Sequence, residues 1–279
     1  MKNFNFIKDR MIENIGSGQA FERAKKVIKE NEVQMEDFKD TYDDIDKDKK
    51  YVAKREKQFQ EQTTPALEEI NKLATIFEAI IFEQGEQSDW LGSNTETIKT
   101  SRFDDIANGV DMIVEFTPED QPVSHLGMAI DATFNSDTSA KFERIKREID
   151  EGKMAEVKYF QSDNQEFKGK LKMIPRIVIG ADSKAISELS ELWLEESRGS
   201  KKVLAEHQIQ FQILEEIIMQ LRAFKTYAEK IGQNKIAEVY KQALNIILPI
   251  YKEKTKQIKD KRNRDSVFLD IEKNLEMFK

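Results

Sequence analysis

The chain has 279 residues, 39% of them hydrophobic and 35% charged, and is therefore long enough to bury a core. Its 45 basic and 52 acidic residues nearly cancel to a net charge of −7, which excludes a global attraction to nucleic acid or anionic membranes. Any polyanion site must therefore be local. The absence of cysteine excludes disulfides, thiolate metal ligands and cysteine nucleophiles.

The N-terminal sequence MKNFNFIKDRMIENIG is charged throughout and lacks the apolar stretch of a signal peptide. The sequence contains no run of about 18 apolar residues, which a membrane-spanning helix requires. We therefore expect a cytoplasmic protein that does not contact the membrane.

Residues 1–64 are predicted to form a helical N-terminal arm. Apolar residues recur at helical spacing over 19–31. The following stretch, 32–50, is rich in charged residues and is interpreted as a solvated helix or linker, after which a helix is predicted at 54–62.

The segment 65–182 is predicted to form an α/β core. A buried helix begins at Pro65 and runs to Gly85, because its apolar residues repeat every three or four positions. The helical spacing of apolar residues then ends. Short segments rich in β-branched and apolar residues predict three strands, at 97–103, 110–116 and 126–134. The TPEDQ sequence supplies a turn between the second and the third.

A predicted amphipathic helix at 139–151 leads to a fourth strand at 154–160 and to the segment 170–180, which Pro175 splits. The order of the core is therefore helix, three strands, helix, strand. The remainder, 183–279, is predicted to be a helical bundle with these helices: 183–197, 201–231, 234–260 and 264–277.

The alternation of side chains on two of the strands predicts a site. Even-numbered positions of 110–116 and 126–134 are large and apolar and are expected to face the core, whereas odd-numbered positions include Asp111 and Asp131. If the strands pair as a hairpin, the two aspartates fall on nearby rungs, where like charges repel unless a cation or proton intervenes.

Asp131 also interrupts an apolar strand, where an ionised side chain is costly to desolvate without a partner. Asp104 and Asp105 add carboxylates near the same strand, and oxygen-rich clusters of this type suit Mg²⁺ or Mn²⁺. A simpler alternative is that the strand aspartates pair with Arg102 or Lys158, and that Asp104 and Asp105 only start a turn.

The element order, with an acid opening the second strand and another late in the third, resembles the PD-(D/E)xK, or restriction-endonuclease-like, nucleases over 65–160. The resemblance implies that Asp111 and Asp131 are the motif acids and that Glu68 or Glu69 is an accessory metal-binding acid. It further implies that bound Mg²⁺ activates a water for attack on a phosphodiester of DNA or RNA.

The chain departs from the motif at two positions. Val110 stands where the motif has proline, and Thr133 stands where it has the catalytic lysine. The superfamily tolerates migration of this lysine, so Lys158 or Lys141 could supply the amine, and the sequence leaves that choice open.

The leading hypothesis is a divalent-metal-dependent nuclease set between helical arms. The alternative is a non-catalytic nuclease-like scaffold that binds nucleic acid or protein. The stretch 167–180 contains four bases and no acid, and is predicted to bind phosphates through Lys168, Lys170, Lys172 and Arg176. Four bases are equally ordinary on a solvated surface hairpin. The long amphipathic helices at both ends could bind a protein partner or mediate self-association. His125 and His207 fit no metal motif and are interpreted as surface or helix residues.

Overall fold

A computed structural model describes these parts of the chain: 18–117, 128–133, 138–162, 166–195, 197–257 and 264–279. For 128–133 and 257 it describes the backbone only. His125, most of the predicted TPEDQ turn and both ends of the predicted third strand lie outside the described residues.

The N-terminal arm contains two helices and a short 3-10 turn. Helix α1 (18–31) is followed by the turn Met35–Phe38, and helix α2 spans Ile45–Gln62. Of the two alternatives predicted for 32–50, a solvated helix or a linker, a helix is found from Ile45 on. The prediction of solvation is wrong for Phe38 and Ile45, which are buried in a small cluster with Tyr159 of a later strand. The arm is therefore attached to the core.

Helix α3 (Pro65–Gln87) begins where the sequence predicts. The side chain of Thr64 caps its N-terminus by accepting a hydrogen bond from the Leu67 amide, and Pro65 occupies the first turn. The later turns of α3 are buried at Ile76, Phe77, Ile80 and Ile81, which is the predicted spacing.

The main sheet is mixed and has the strand order β1-β2-β3-β6. Strands β1 (Thr95–Lys99), β2 (Met112–Phe116) and β3 (Met128–Thr133) pair antiparallel in sequence order. Strand β6 (Arg176–Gly180) pairs with β3 in parallel, and helix α4 (Ser139–Asp150) lies in the crossover between them. The α+β class predicted from the sequence is confirmed.

The strand that follows α4 does not complete this sheet, contrary to the sequence prediction. Strand β4 (Ala155–Gln161) instead pairs antiparallel with β5 (Lys168–Ile174) in a separate two-stranded sheet. The fourth place in the main sheet belongs to β6, which is buried at all five positions. Burial on both faces suits its apolar sequence RIVIG.

The even-numbered face of β2 packs into the main core as predicted, with Met112, Val114 and Phe116 at most 2% exposed. The odd-numbered face is also buried, which the alternation did not predict. Ile113 packs against residues of the β4–β5 sheet, and Glu115 accepts a hydrogen bond from Ser162 Oγ at 2.9 Å. The second sheet therefore covers this face of β2.

The C-terminal region is helical, as predicted, and contains α5 (Ser183–Leu194), α6 (Arg198–Ala205), α7 (Ile209–Lys230), α8 (Asn234–Gln257), α9 (Ser266–Asn274) and the 3-10 turn Leu275–Phe278. The main core includes side chains from α1, α3, the main sheet and these helices, so it crosses all three predicted segments. In the part of the chain described here, no helix is both long and apolar enough to cross a bilayer.

The predicted helix over 201–231 is interrupted at His207, which is buried and not at the surface. Its side chain is 8% exposed, and its Nδ1 accepts a hydrogen bond from the Ile209 amide at 3.2 Å. Its Nε2 lies 3.6 Å from Glu188 Oε1. The imidazole therefore helps to fix the turn between α6 and α7.

Three buried side chains of helix α7, spaced four residues apart, form hydrogen bonds with the backbone groups at the edge of β6 that no described strand pairs with. Gln220 exchanges two hydrogen bonds with the backbone of Val178, at 2.6 and 2.9 Å. Glu216 accepts from the Gly180 amide at 3.0 Å, and Gln212 donates to the Gly180 carbonyl at 3.1 Å. These side chains take the place of a neighbouring strand and prevent the edge from pairing elsewhere.

Candidate functional site

The register of β2 and β3 brings the positions of Asp111 and Asp131 opposite each other. Met112 pairs with Ile130 in this antiparallel ladder. Asp111 immediately precedes Met112 and Asp131 immediately follows Ile130, so one further step of the same register opposes the two aspartates. The backbone therefore agrees with their predicted proximity, while the side chain of Asp131 lies outside the described part of the structure.

Asp111 lines an open cleft of about 590 Å³ between the α2–α3 hairpin and the segment that precedes β2. Glu78 of α3 and Asp105 also line this cleft, so three described carboxylates border it. The lining also includes Phe59 and Leu67 together with polar side chains of α2 and α3. The cleft therefore combines apolar side chains with three carboxylates, which form its acidic wall.

A buried ion pair supports the acidic wall. Lys99 Nζ lies 2.9 Å from Glu78 Oε1 and donates to the backbone carbonyl of Asp111 at 2.7 Å. Burial alone lowers the pKa of Lys99, but the carboxylates of Glu78, Asp105 and Asp111 outweigh it and raise that pKa above its ordinary value. Lys99 is therefore a permanent cation that links α3, β1 and the start of β2.

Lys99 and Glu78 are not among the site residues predicted from the sequence. The signal that could have found them is a charged residue on an otherwise buried face. Glu78 lies between the buried residues Phe77 and Ile80 of α3, and Lys99 ends a strand whose last three positions are buried. Burial also raises the pKa of Glu78, against the opposing effect of Lys99.

Asp104, a predicted metal ligand, is instead a structural acceptor. It begins a π-helical turn, Asp104–Asn108, and is fully buried. Its Oδ1 accepts from the Lys158 amide (2.7 Å) and from Asn108 Nδ2 (2.6 Å), and its Oδ2 accepts from Ser101 Oγ (2.8 Å) and the Tyr159 amide (3.0 Å). With four donors, the carboxylate anchors β4 to this turn and has no capacity left for a metal.

Asp105, the second acid of this turn, borders the cleft and is paired with the guanidinium of Arg102. Arg102 also donates from Nε to Glu56 of α2 at 2.9 Å. The side chain of Arg102 remains 42% exposed, so it bridges α2 and the acidic wall while it still faces solvent.

Glu68 and Glu69 do not take part in the acidic wall. Both are exposed and lie 3.3 and 2.8 Å, respectively, from Lys72 Nζ. The prediction that Glu69 binds the metal is therefore corrected, because the acid that α3 turns toward the cleft is Glu78.

Lys158, one of the two predicted catalytic lysines, holds the N-terminal arm. Its ammonium lies 2.7 Å from Asp44 and 2.6 Å from Asp48, at the start of α2. It also lies within 5.7 Å of three aromatic ring centroids, those of Tyr42, Phe103 and Tyr159. This amine therefore fastens α2 to β4. Lys141, the other predicted lysine, lies half-buried in the first turn of α4.

The predicted phosphate-gripping residues divide into two groups. Lys168, Lys170 and Lys172 alternate along β5 and are exposed, although Lys170 lies 2.5 Å from Glu156. Arg176 is 3% exposed, donates to the carbonyls of Gly109 and Asn108, and lies 3.1 Å from Glu148. Arg176 is thus a buried clamp and not a phosphate ligand.

Arg176 holds the turn just before Asp111. Gly109 ends the π-helical turn in the left-handed region, with φ of 60°, where a side chain is strained. A Cβ at this position would also lie 2.6 Å from a guanidinium nitrogen of Arg144. The left-handed backbone therefore favours glycine where the chain reverses into β2.

Within the described residues, no group of three or more His, Asp or Glu side chains is arranged to hold a metal ion. Mg²⁺ is commonly held by one or two carboxylates together with waters and substrate phosphate. Asp111 and Asp131 fit that donor set in chemistry and in backbone position.

Comparisons of the chain with protein-family models, with curated proteins and with solved structures found no match.

Proposed function

We propose that the protein is a divalent-metal-dependent phosphodiesterase that acts on nucleic acid, with Asp111 and Asp131 as its metal ligands. The observation that carries the proposal is the β2–β3 register: continued one step beyond the Met112–Ile130 pair, it opposes the two aspartates, of which Asp111 lines an open acidic cleft. Two carboxylates directly opposite each other on neighbouring strands repel each other unless a cation or proton lies between them.

The topology supports the same proposal. The resemblance to PD-(D/E)xK nucleases implies a helix, three antiparallel strands, a helix and a strand. In this chain α3, β1, β2, β3, α4 and β6 follow that order, with β6 parallel to β3. The β4–β5 sheet is then an insertion between α4 and the last strand.

The residues at and around this site would have the following roles. Asp111 and Asp131 would hold Mg²⁺ or Mn²⁺, which supplies a water of lowered pKa and charge stabilisation at the phosphate when bound. Lys99 acts as a positioning residue, since it fixes both Glu78 and the backbone of Asp111. Arg102 offers the exposed cation at the cleft and attracts the substrate phosphate.

The proposal is tested by incubating the full chain with single- and double-stranded DNA and RNA in Mg²⁺, Mn²⁺ or EDTA. We expect cleavage that depends on the metal and that falls at least about 100-fold in Asp111→Asn and in Asp131→Asn, since even metal-site neighbours that are not ligands cost about 10–100-fold. These substitutions keep the size of the side chain but remove its charge and replace one accepting oxygen by an amide nitrogen.

Glu69→Gln is the matched control, because Glu69 is an exposed carboxylate on the helix that borders the cleft. Its cleavage rate should equal that of the wild type. Cleavage that persists in EDTA or in Asp111→Asn would refute the assigned site. No cleavage of any substrate would refute catalysis and favour the non-catalytic scaffold.

A further inference from the structure

Helix α2 carries a stripe in which two exposed aromatic side chains flank a half-buried arginine. Tyr51, Arg55 and Phe59 are spaced four residues apart and are therefore neighbours along one side of the helix. Tyr51 is 40% exposed and Phe59 is 41% exposed, and the Arg55 guanidinium lies 4.8 Å from the centre of the Phe59 ring. At about 1.5 Å per residue the stripe is about 12 Å long.

Basic side chains flank this stripe, although the chain as a whole is acidic. Two acids also lie three positions from its rings, but Asp48 is buried against Lys158 and Glu56 is paired with Arg102. Lys47 and Lys54 are exposed and lie four and three positions from Tyr51, which puts both beside the ring on the helix surface. Together with Arg55 they make a local cationic surface, which is what a polyanion site requires in a protein with a net charge of −7.

The stripe leads into the cleft of the proposed function. Phe59 itself lines the cleft, and Leu67, which is 43% exposed, lines it from the adjacent helix α3. At the other end, the Tyr51 ring lies 6.0 Å from the ring of Phe103, which follows the cleft residue Arg102 in the chain. The aromatic residues and the acidic wall are therefore parts of one continuous surface.

We infer that the Tyr51–Arg55–Phe59 stripe is a binding track for single-stranded nucleic acid, a conclusion that rests on the proposed function and names the form of its substrate. Aromatic rings and a guanidinium with nearby lysines suit an unpaired strand, whose bases stack on the rings while its phosphates meet the cations. The bases of a duplex are already stacked on each other and present mainly phosphates to such a surface.

The test measures binding in EDTA, which removes the divalent metal and so prevents the proposed cleavage. A fluorescein-labelled oligothymidylate of about 15 nucleotides and a duplex of the same length are titrated with the full chain, at about 50 mM salt, and followed by fluorescence anisotropy. We expect the single strand to bind more tightly than the duplex. The double variant Tyr51→Ala/Phe59→Ala should bind the single strand about tenfold or more weakly, because stacking on each ring is lost.

Two controls separate stacking from unfolding and from a general loss of apolar surface. Tyr51→Phe/Phe59→Tyr keeps both rings and should bind like the wild type. Leu269→Ala removes a side chain that is 54% exposed on the distant element α9 and should also bind normally. Equal binding of single strand and duplex, unchanged binding in Tyr51→Ala/Phe59→Ala, or no binding of the single strand would overturn the inference.

The two proposals fail separately. Binding that depends on the two rings but is never followed by cleavage in Mg²⁺ or Mn²⁺ would refute the catalytic proposal and leave the track intact. Metal-dependent cleavage that is unchanged in Tyr51→Ala/Phe59→Ala, on every substrate, would refute the track and leave the catalytic site intact.

Discussion

The structural role assigned to Asp104 makes a quantitative prediction for Asp104→Asn. Both carboxylate oxygens of Asp104 accept two hydrogen bonds in the fully buried turn. Asparagine keeps one oxygen and replaces the other by an amide nitrogen that donates, so two buried donors lose their acceptor. A buried donor without a partner costs about 1–3 kcal/mol. The neutral amide offsets part of this loss, because burial raises the pKa of Asp104 and disfavours its charge.

We therefore expect Asp104→Asn to lower the free energy of unfolding by about 2–4 kcal/mol, the lower part of the range that two orphaned donors imply. Urea denaturation followed by tryptophan fluorescence measures this change. Asp105→Asn is the matched control: it breaks a partly exposed ion pair with Arg102 and should cost at most about 1 kcal/mol. An Asp104→Asn protein as stable as Asp105→Asn would refute the reasoning.

Three further predictions concern the scaffold. Gln220→Leu leaves the buried amide and carbonyl of Val178 without partners and should lower the free energy of unfolding by about 2–4 kcal/mol in urea; an unchanged midpoint would contradict the edge-capping role. Burial raises the pKa of Glu216, so the wild type should lose stability as pH rises from the ordinary glutamate range through that raised pKa, and Glu216→Gln should flatten the profile of urea midpoints against pH. Lys158→Met removes the ammonium from Asp48 and should speed limited proteolysis within the N-terminal arm, whereas an unchanged digestion pattern would show that the arm is held by other contacts.

Much of the local structure could be predicted from periodicity and capping. Helix α3 begins behind Thr64 and buries the residues that recur every three or four positions. On β2, the alternating large apolar residues Met112, Val114 and Phe116 do face the main core. These features depend on neighbours within one element, which is why one sequence suffices to read them.

The pairing of strands could not be predicted in the same way. Strands β4 and β6 are both short and both bury apolar side chains, and only contacts with distant parts of the chain decide which one lies beside β3. The edge of β6 is satisfied by Gln212, Glu216 and Gln220 of α7, which come more than thirty residues later in the chain. A strand whose edge is capped by helix side chains has no signature in its own sequence.

Which of the acids near the candidate site face the cleft could not be predicted from the sequence either. Asp104 and Asp105 are adjacent, yet Asp104 faces the backbone of β4 and Asp105 faces the cleft. The π-helical turn and the later strand β4 together make this difference. Glu69 and Glu78 share a helix, and only Glu78 lies on the same side as the cleft residues Asn71 and Thr75. Which side of α3 meets the cleft depends on α2, so the acid that the nuclease resemblance implied is not the one that lines the cleft.

The central claim is that Asp111 and Asp131 together bind a divalent cation, and direct metal titration tests it without reference to any substrate. Isothermal titration calorimetry with Mn²⁺ should give saturable binding to the wild type and to Glu69→Gln, and an affinity at least about tenfold lower for Asp111→Asn and for Asp131→Asn. Equal affinities in all four proteins, or no binding to the wild type, would contradict the claim.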